Sequence, residues 1–146
     1  MQKIILVIVL ICLASGCSTE QANEMEKPMN IHEQINYVEF PAKDMTATKE
    51  FFTEVFNWSF TEYGSEYMDV KDAGLGVGFY KSDLTARYED GSALIVFYSK
   101  ELEATQDKIE KAGGKISRTI VSFPGGRRFH FKDPSGNEYG VWSDLE

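Results

Sequence analysis

The residues best suited to chemistry lie on one predicted strand near the C-terminal end of the chain. His130 is one of only two histidines, and Arg128 lies two positions before it. Since alternate side chains of a strand point to the same face, both groups share one side of the sheet. A histidine can exchange protons near neutral pH, and an arginine can hold a carboxylate or phosphonate through two parallel hydrogen bonds. His130 is therefore a candidate catalytic residue, although a lone histidine is more often a hydrogen-bonded pocket or core residue.

A second group of polar and aromatic side chains lies on other predicted strands. Glu39 alternates with the apolar Val38 and Phe40, so it points away from the face that packs under the next helix, and it is the second candidate catalytic group. The side chains that we expect to line a small-molecule site are Tyr37, Glu39, Tyr98, Arg128, His130 and Trp142. Two alternatives fit the same residues: an ion pair between Arg128 and Glu39, or Tyr98 and Trp142 as core aromatics.

The net charge and the absence of certain sequence motifs exclude several other functions. The formal net charge is −8, and no basic stripe offers the counterion release that nucleic-acid binding needs. No G-x-S-x-G sequence marks a serine hydrolase. The glycines at 74, 76 and 78 lack the following helix of a dinucleotide site, so they indicate a bent strand or a close backbone approach.

The N-terminal segment predicts export and lipid attachment. Lys3 precedes an apolar run at residues 4–13, and the small residues before Cys17 resemble the processing site of a bacterial lipoprotein. We therefore predict a lipoprotein signal peptide at residues 1–16, acylation of Cys17 and a polar, flexible tether at residues 17–32. The protein would be held at the cell envelope, on the outer membrane or the periplasmic face. The alternative is an ordinary signal peptide with an incidental thiol.

Acylation of Cys17 would also exclude two kinds of cysteine chemistry. Removal of residues 1–16 leaves Cys17 as the only cysteine, and its thiol would be blocked. A disulfide framework and cysteine catalysis are then both unavailable.

The rest of the chain repeats one pattern of secondary structure and predicts an α+β fold. Residues 35–60 and 93–121 each read as a strand, an amphipathic helix and a return to strand. Asp44 and Ser99 are the predicted helix N-caps, and Asn57 and the Gly113–Gly114 pair end the helices. Pro41 is predicted to end the first strand, because proline cannot donate to a ladder. The further predicted strands are 58–62, 67–71, 75–81, 115–123, 128–132 and 138–142, with turns predicted at residues 124–126 and, after the Asp-Pro pair, at residues 133–137.

Two β-α-β-β-β modules, the pair Gly113–Gly114 and the ending FHFKDPSGNEYGVW resemble the vicinal oxygen chelate superfamily, which includes glyoxalase I, bleomycin-resistance proteins, fosfomycin-resistance enzymes and extradiol dioxygenases. The resemblance covers residues 33–146. It implies an open, cup-shaped mixed sheet with helices outside and a ligand cavity within. Members usually pair modules within one chain or across a dimer, so a homodimer is one expected assembly.

Enzymes of this superfamily hold a divalent metal with histidine and glutamate side chains on cup strands. Carried over one at a time, the ligand positions fall on Tyr37, about Leu94 and Gly140. A tyrosine, a leucine and a glycine do not make a zinc or iron site. The resemblance therefore implies a fold without the usual metal site, and no cofactor is expected.

Three functions are compatible with these features. The first is an envelope-anchored module that binds a small organic ligand without metal. The second is a lyase, isomerase or dioxygenase with an atypical metal or metal-free site that uses Glu39 and His130. The third is an interaction module of the envelope whose cup is filled by its own side chains, because a fold alone does not fix function.

Overall fold

The computed structural model describes residues 30–145 and contains two modules of the same kind. Each module is a strand, a helix and three further strands, so the predicted α+β fold of two β-α-β-β-β modules is confirmed. The elements of the first module are β1 (Tyr37–Ala42), α1 (Met45–Phe56), β2 (Ser59–Glu62), β3 (Tyr67–Lys71) and β4 (Gly76–Lys81). Those of the second are β5 (Ile95–Tyr98), α2 (Leu102–Lys111), β6 (Lys115–Phe123), β7 (Gly126–Lys132) and β8 (Glu138–Ser143). The predicted signal peptide, Cys17 and most of the predicted tether lie outside the described residues.

The strands form two separate four-stranded mixed sheets with the same topology. The first sheet has the order β1-β4-β3-β2, and the second has the order β5-β8-β7-β6. In each sheet the first and last strands of the module pair in parallel, whereas the other neighbours are antiparallel. A loop with one 3-10 turn, Tyr88–Asp90, connects the two sheets.

Helix α1 forms where its sequence predicts and carries the apolar stripe. The Asp44 side chain accepts a hydrogen bond from the backbone N–H of Ala47 at 3.0 Å, and Asn57 ends the helix in the left-handed conformation with φ 57°. Both predicted caps of α1 are therefore confirmed. In the second module the predicted N-cap at Ser99 is wrong, because the helix begins at Leu102 and Glu101 is at the N-cap position. Ser99 Oγ instead accepts from the N–H of Glu101, one turn before the helix.

Proline does not end β1, contrary to the sequence prediction. Pro41 lies within the strand opposite Tyr80, in the register with β4. Because β1 is an edge strand, one side of it needs no ladder donors, and a proline can be placed there without losing a sheet hydrogen bond.

One aromatic core joins the two modules. Phe52 of α1 packs against Phe79 of the first sheet and Tyr139 of the second, with ring centroids 5.3 Å and 5.6 Å apart. Phe40 and Tyr139 also meet directly, at 5.1 Å. Because the apolar faces of both sheets enter this shared core, their opposite faces point away from it.

Neither α1 nor α2 has the length and apolar character needed to cross a membrane, and the same is true of every other helix within residues 30–145.

Residues in and after the predicted Asp-Pro turn form a buried network of hydrogen bonds. The Asp133 carboxylate accepts from the backbone N–H and the side-chain amide of Asn137 and from the hydroxyl of Tyr139, at 2.9 to 3.2 Å. Asp133 is only 5% exposed. This burial raises the pKa of its carboxyl to about 6, and the hydrogen bonds offset only part of the effect.

We expect the Asp133 carboxyl to make the fold more stable in mild acid. The native state holds the Asp133 proton up to a pKa of about 6, whereas the unfolded chain releases it near the ordinary aspartate pKa of about 3.9. Stability from this group is therefore full below pH 4 and declines by about 2–3 kcal/mol as the pH rises to 6. Urea unfolding of the wild-type protein and Asp133→Asn between pH 4 and 7 isolates this contribution. Titration of the Asp133 carboxyl carbon by NMR reports the native pKa directly, and a midpoint below 4 would contradict the expectation.

Candidate functional site

The first sheet presents a face of tyrosines and carboxylates, which we call the acidic face: Tyr37, Glu39, Tyr67 and Asp69. Tyr37 Oη donates to Asp69 Oδ1 at 2.6 Å, and Tyr67 Oη donates to Glu39 Oε1 at 3.0 Å. The two phenol oxygens are also 2.8 Å apart, but each phenol has one proton and donates it to a carboxylate, so the four side chains form two hydrogen-bonded pairs in contact with each other. Partial burial, with the hydrogen bond to Asp69 and the contact with Tyr67, raises the pKa of the Tyr37 phenol, which therefore remains a neutral donor.

Glycines in β4 make room for the two tyrosine side chains. A Cβ added at Gly78 would overlap the hydroxyl oxygens of Tyr67 and Tyr37, and one added at Gly76 would overlap the Tyr37 ring. The sequence analysis expects a bent strand or a close backbone approach at glycines 74, 76 and 78. The groups that approach Gly76 and Gly78 are mainly tyrosine side chains, and a Cβ at Gly74 would meet nothing within 4 Å. The two rings lie over the strand only because β4 lacks side chains there.

The second sheet presents an aromatic and basic face, which we call the basic face: Val96, Tyr98, Arg118, Val121, Arg128, His130, Gly140 and Trp142. Arg118 and Gly140 lie opposite His130 on its two neighbouring strands, and Trp142 lies opposite Arg128. Tyr98 packs edge-on to Trp142 at 5.3 Å and donates to Asp144 at 2.7 Å. Several members remain open to solvent, including Tyr98 at 48% and Val96 at 42% exposure.

His130 is buried at the centre of the basic face and is paired with a carboxylate. Its side chain is 1% exposed, and Nδ1 lies 3.2 Å from Glu138 Oε1. Ser117 Oγ donates to the same Glu138 oxygen at 2.9 Å. Burial lowers the pKa of His130; the hydrogen bond to Glu138 offsets part of this shift, and the charges of Arg118 and Arg128 add to it. Burial alone would raise the pKa of Glu138, but the hydrogen bonds from Ser117 and His130 outweigh it and lower that pKa.

The structure divides the six predicted site residues between the two faces. Tyr37 and Glu39 belong to the acidic face, whereas Tyr98, Arg128, His130 and Trp142 belong to the basic face. Among the described residues, no hydrogen bond or ion pair connects Glu39 with His130 or with Arg128. Glu39 bonds to Tyr67, His130 bonds to Glu138, and Arg128 lies over the Phe123 ring with its guanidinium carbon 5.6 Å from the centroid.

Four partners of these residues were missed in the sequence analysis. Tyr67 and Asp69 lie on a strand that was predicted, and Gly78, which lies opposite Asp69, was the signal that large groups approach there. Glu138 follows the Asp-Pro turn, where β7 and β8 pair Lys132 with Glu138 and so place Glu138 diagonally to His130. Ser117 carries no such signal, because irregular pairing between β6 and β7 sets its position.

The positions that correspond to the superfamily's metal ligands do not fit a metal in this chain. Leu94 and Gly140 offer no donor side chain, and Tyr37 is held by Asp69 and Tyr67. A Cβ at Gly140 would already touch the side chains of Val96 and Leu94, so apolar groups fill the space beside it. Within residues 30–145, no three histidine, cysteine, aspartate or glutamate side chains are grouped closely enough to hold a metal ion.

Comparison with known proteins identifies the family. Residues 34–141 match the family model of the Glyoxalase/Bleomycin resistance protein/Dioxygenase superfamily. The chain belongs to this superfamily. Its members commonly bind small ligands, form dimers and use divalent metals. No curated protein matches the chain in sequence.

Solved structures of the same fold have low sequence identity to this chain. A glyoxalase-related enzyme from Fulvimarina pelagi is 17% identical with a TM-score of 0.65, and the alignment covers 76% of this chain and 88% of that one. Lactoylglutathione lyase from Agrobacterium tumefaciens is 16% identical with a TM-score of 0.59, covering 78% and 96%. A mutant of a fosfomycin resistance protein from Listeria monocytogenes, complexed with Mn(II) and dihydroxypropylphosphonic acid, is 21% identical with a TM-score of 0.63, covering 77% and 90%. At these identities the likeness shows the fold alone.

Proposed function

We propose that this superfamily domain binds a small organic anion on its basic face without a metal centre. The observation that carries the proposal is the placement of Arg118 and Arg128 beside the buried His130 and the aromatic Trp142. Arginine binds carboxylate and phosphonate groups through paired hydrogen bonds, and an aromatic surface beside it favours an apolar ligand body. Tyr37, Leu94 and Gly140 do not fit a metal, and this supports a ligand that is bound by the protein's own side chains.

A homodimer would complete the site. The basic face exposes the apolar groups of Val96, Tyr98 and Val121, which a second copy of the chain would cover. The acidic face carries Glu39 and Asp69, and its charge is complementary to that of Arg118 and Arg128. In the proposed dimer, the acidic face of one copy lies across the cup from the basic face of the other, and the ligand binds between them.

The anion site makes a specific prediction for Arg128. We expect Arg128→Gln to weaken the binding of phenylphosphonate, a probe with an anionic head and an aromatic body, by about 10- to 100-fold, because a charge-assisted pair is lost. Fluorescence of Trp142 on the basic face reports binding, since the other tryptophan, Trp58, is buried in the core at 7% exposure.

Arg127→Gln is the matched control for this experiment. Arg127 has the same charge one position away, but it pairs with Glu103 of the second-module helix. The control should bind the probe as tightly as the wild-type protein. Equal affinity in all three proteins would contradict the proposal, and so would stoichiometric zinc, nickel or iron in native mass spectra of the protein. The same spectra report whether the protein is a dimer.

We also propose that the domain is anchored at the bacterial envelope by lipid on Cys17. The support is the sequence alone: an apolar segment ending in small residues directly before the cysteine. We expect Cys17→Ser to move the protein from the membrane fraction to the soluble fraction of a bacterial host, and globomycin to block processing of the wild-type precursor. Cys12→Ser is the control, because Cys12 lies in the segment that is removed. Unchanged membrane association of Cys17→Ser would contradict lipid anchoring.

The two other candidate functions have less support. An enzyme that uses Glu39 and His130 together would need both groups at one point, but they belong to different faces and have separate partners. A protein-interaction module is favoured only by the exposed apolar groups of the basic face, which the proposed ligand and partner copy would also cover.

A further inference from the structure

One nitrogen of the buried histidine has no partner. Among the described residues, His130 Nε2 is the one buried side-chain polar atom for which the protein provides no hydrogen bond. A buried polar atom without a partner costs stability, so such an atom in a native fold requires an explanation. Nδ1 of the same ring is engaged with Glu138, and this leaves Nε2 available for a group from outside the chain.

The partner of Nδ1 determines what Nε2 can do. A carboxylate is an acceptor, so Glu138 requires the proton of the neutral imidazole to be on Nδ1. The Ser117 hydroxyl donates to Glu138 and holds it in place. Nε2 then carries a lone pair and is an acceptor. The groups that face the ring are Glu138 from β8, Arg118 from β6, Arg128 from its own strand β7 and Tyr88 from the connecting loop.

The surroundings of Nε2 define the complementary ligand. Two guanidinium groups near the ring favour a negative charge, whereas the lone pair requires a hydrogen-bond donor. A fully deprotonated anion satisfies the arginines but leaves Nε2 without a partner. An anion that also carries a hydroxyl group satisfies both.

One exposed ring packs directly against the histidine. Tyr88 packs edge-on to His130 with centroids 6.0 Å apart, and it is 51% exposed. Its loop is fixed to β8 by the hydrogen bond from the N–H of Glu138 to the carbonyl of Ala86, at 2.8 Å. A change of the Tyr88 side-chain rotamer would uncover the part of the histidine ring that it packs against, without unfolding the loop.

We infer that His130 Nε2 is a specificity-determining acceptor that selects anions carrying a hydroxyl group, with Glu138 and Ser117 as positioning residues and Tyr88 as the side chain displaced on binding. This inference rests on the proposed anion site and narrows its ligand class. It makes the unpartnered nitrogen part of the binding site.

Nitrogen-15 NMR of the imidazole rings tests the tautomer and the selectivity together. We expect the His130 Nε2 resonance of the ligand-free protein at the position of an unprotonated ring nitrogen. Adding inorganic phosphate, which carries a hydroxyl near neutral pH, should shift this resonance upfield, whereas sulfate at equal ionic strength should not. His32, whose side chain is 92% exposed, is the internal reference for general salt effects. In Glu138→Leu the fraction of the Nδ1–H tautomer should fall.

Tyr88→Ala keeps the test decisive if the wild-type site is closed to phosphate. The substitution removes the ring that packs against the histidine, so phosphate should then shift Nε2 at lower concentration. A proton on Nε2 in the free protein, or no phosphate-specific shift in either protein, would overturn the inference.

The Arg128 side-chain N–H resonances separate the proposed anion site from the proposed role of His130. If neither anion shifts them, the anion site itself fails, whereas a response to both anions without selectivity at Nε2 overturns only the role of His130.

Discussion

We expect Phe52→Ala to lower the free energy of unfolding by about 4 kcal/mol, the largest effect of any single truncation in this domain. Phe52 is fully buried and stacks on Trp58 with centroids 4.8 Å apart. It also contacts Phe79 of the first sheet and Tyr139 of the second. A cavity at this position removes contacts from both modules, and neither sheet can move to fill it without leaving the shared core.

Urea unfolding monitored by circular dichroism measures this loss, with Phe123→Ala as the control. Phe123 is the same residue type on the second sheet but is 39% exposed, so its truncation should cost less than about 1 kcal/mol. Because Phe52 connects the modules, unfolding of the wild-type protein should remain a single transition. A loss below about 1.5 kcal/mol for Phe52→Ala, or separate transitions for the two modules, would contradict a shared core.

The sequence predicts the elements of this fold well because they are encoded locally. The spacing of apolar residues between Asp44 and Asn57 predicts α1, and both end residues cap it by interactions within a few positions. Strand β3 occupies its predicted range of residues 67–71 for the same reason, since alternation is visible along one segment. Pro41 is the exception, because its place in β1 depends on which strand is at the sheet edge, and that is a property of the tertiary fold.

The candidate site is predicted only in part because its pairings join distant segments. Alternation correctly places Arg128 and His130 on the same face of β7, and the register with β8 confirms that this face also carries Trp142. The partner of His130 depends on the pairing between β7 and β8, which a single strand does not encode. Tyr37 likewise finds Asp69 across 32 positions of sequence. Such contacts follow from sheet order rather than from local pattern.

Separation of the two faces changes how the site is understood. From sequence, Glu39 and His130 were expected around one cup. Each face instead has its own hydrogen-bonded cluster, the tyrosine–carboxylate pairs on the first sheet and the pair of His130 Nδ1 with Glu138 on the second. Hydrogen bonds within each cluster fix its side chains before any ligand arrives, and preorganisation of this kind reduces the entropic cost of binding. Only Nε2 and the half-buried or exposed arginines remain available to a ligand on the basic face.

The second large effect that we expect is a loss of about 3 kcal/mol in the free energy of unfolding of Asn137→Ala. Asn137 is fully buried in the Asp-Pro turn, and its side chain connects three segments. Its amide donates to the carbonyl of Pro41 at 2.8 Å and to Asp133 at 3.0 Å, and its oxygen accepts from the N–H of Ala86 at 2.9 Å. Truncation leaves a buried carbonyl and a part-buried N–H without partners, and each costs about 1–3 kcal/mol.

Asn36→Ala is the matched control, because Asn36 is exposed and, within residues 30–145, its side chain bonds only to Asn30. Its effect on the free energy of unfolding should stay within about 0.5 kcal/mol. Hydrogen exchange gives a second, local measurement, since the Ala86 amide loses its acceptor in Asn137→Ala and should exchange faster than in the wild-type protein. The connecting loop that carries Tyr88 is held to the second sheet partly through this bond, so faster exchange should extend to the neighbouring amides of the loop. Equal stability of the two alanine variants, with unchanged protection at Ala86, would show that the turn does not hold the first strand and the loop together.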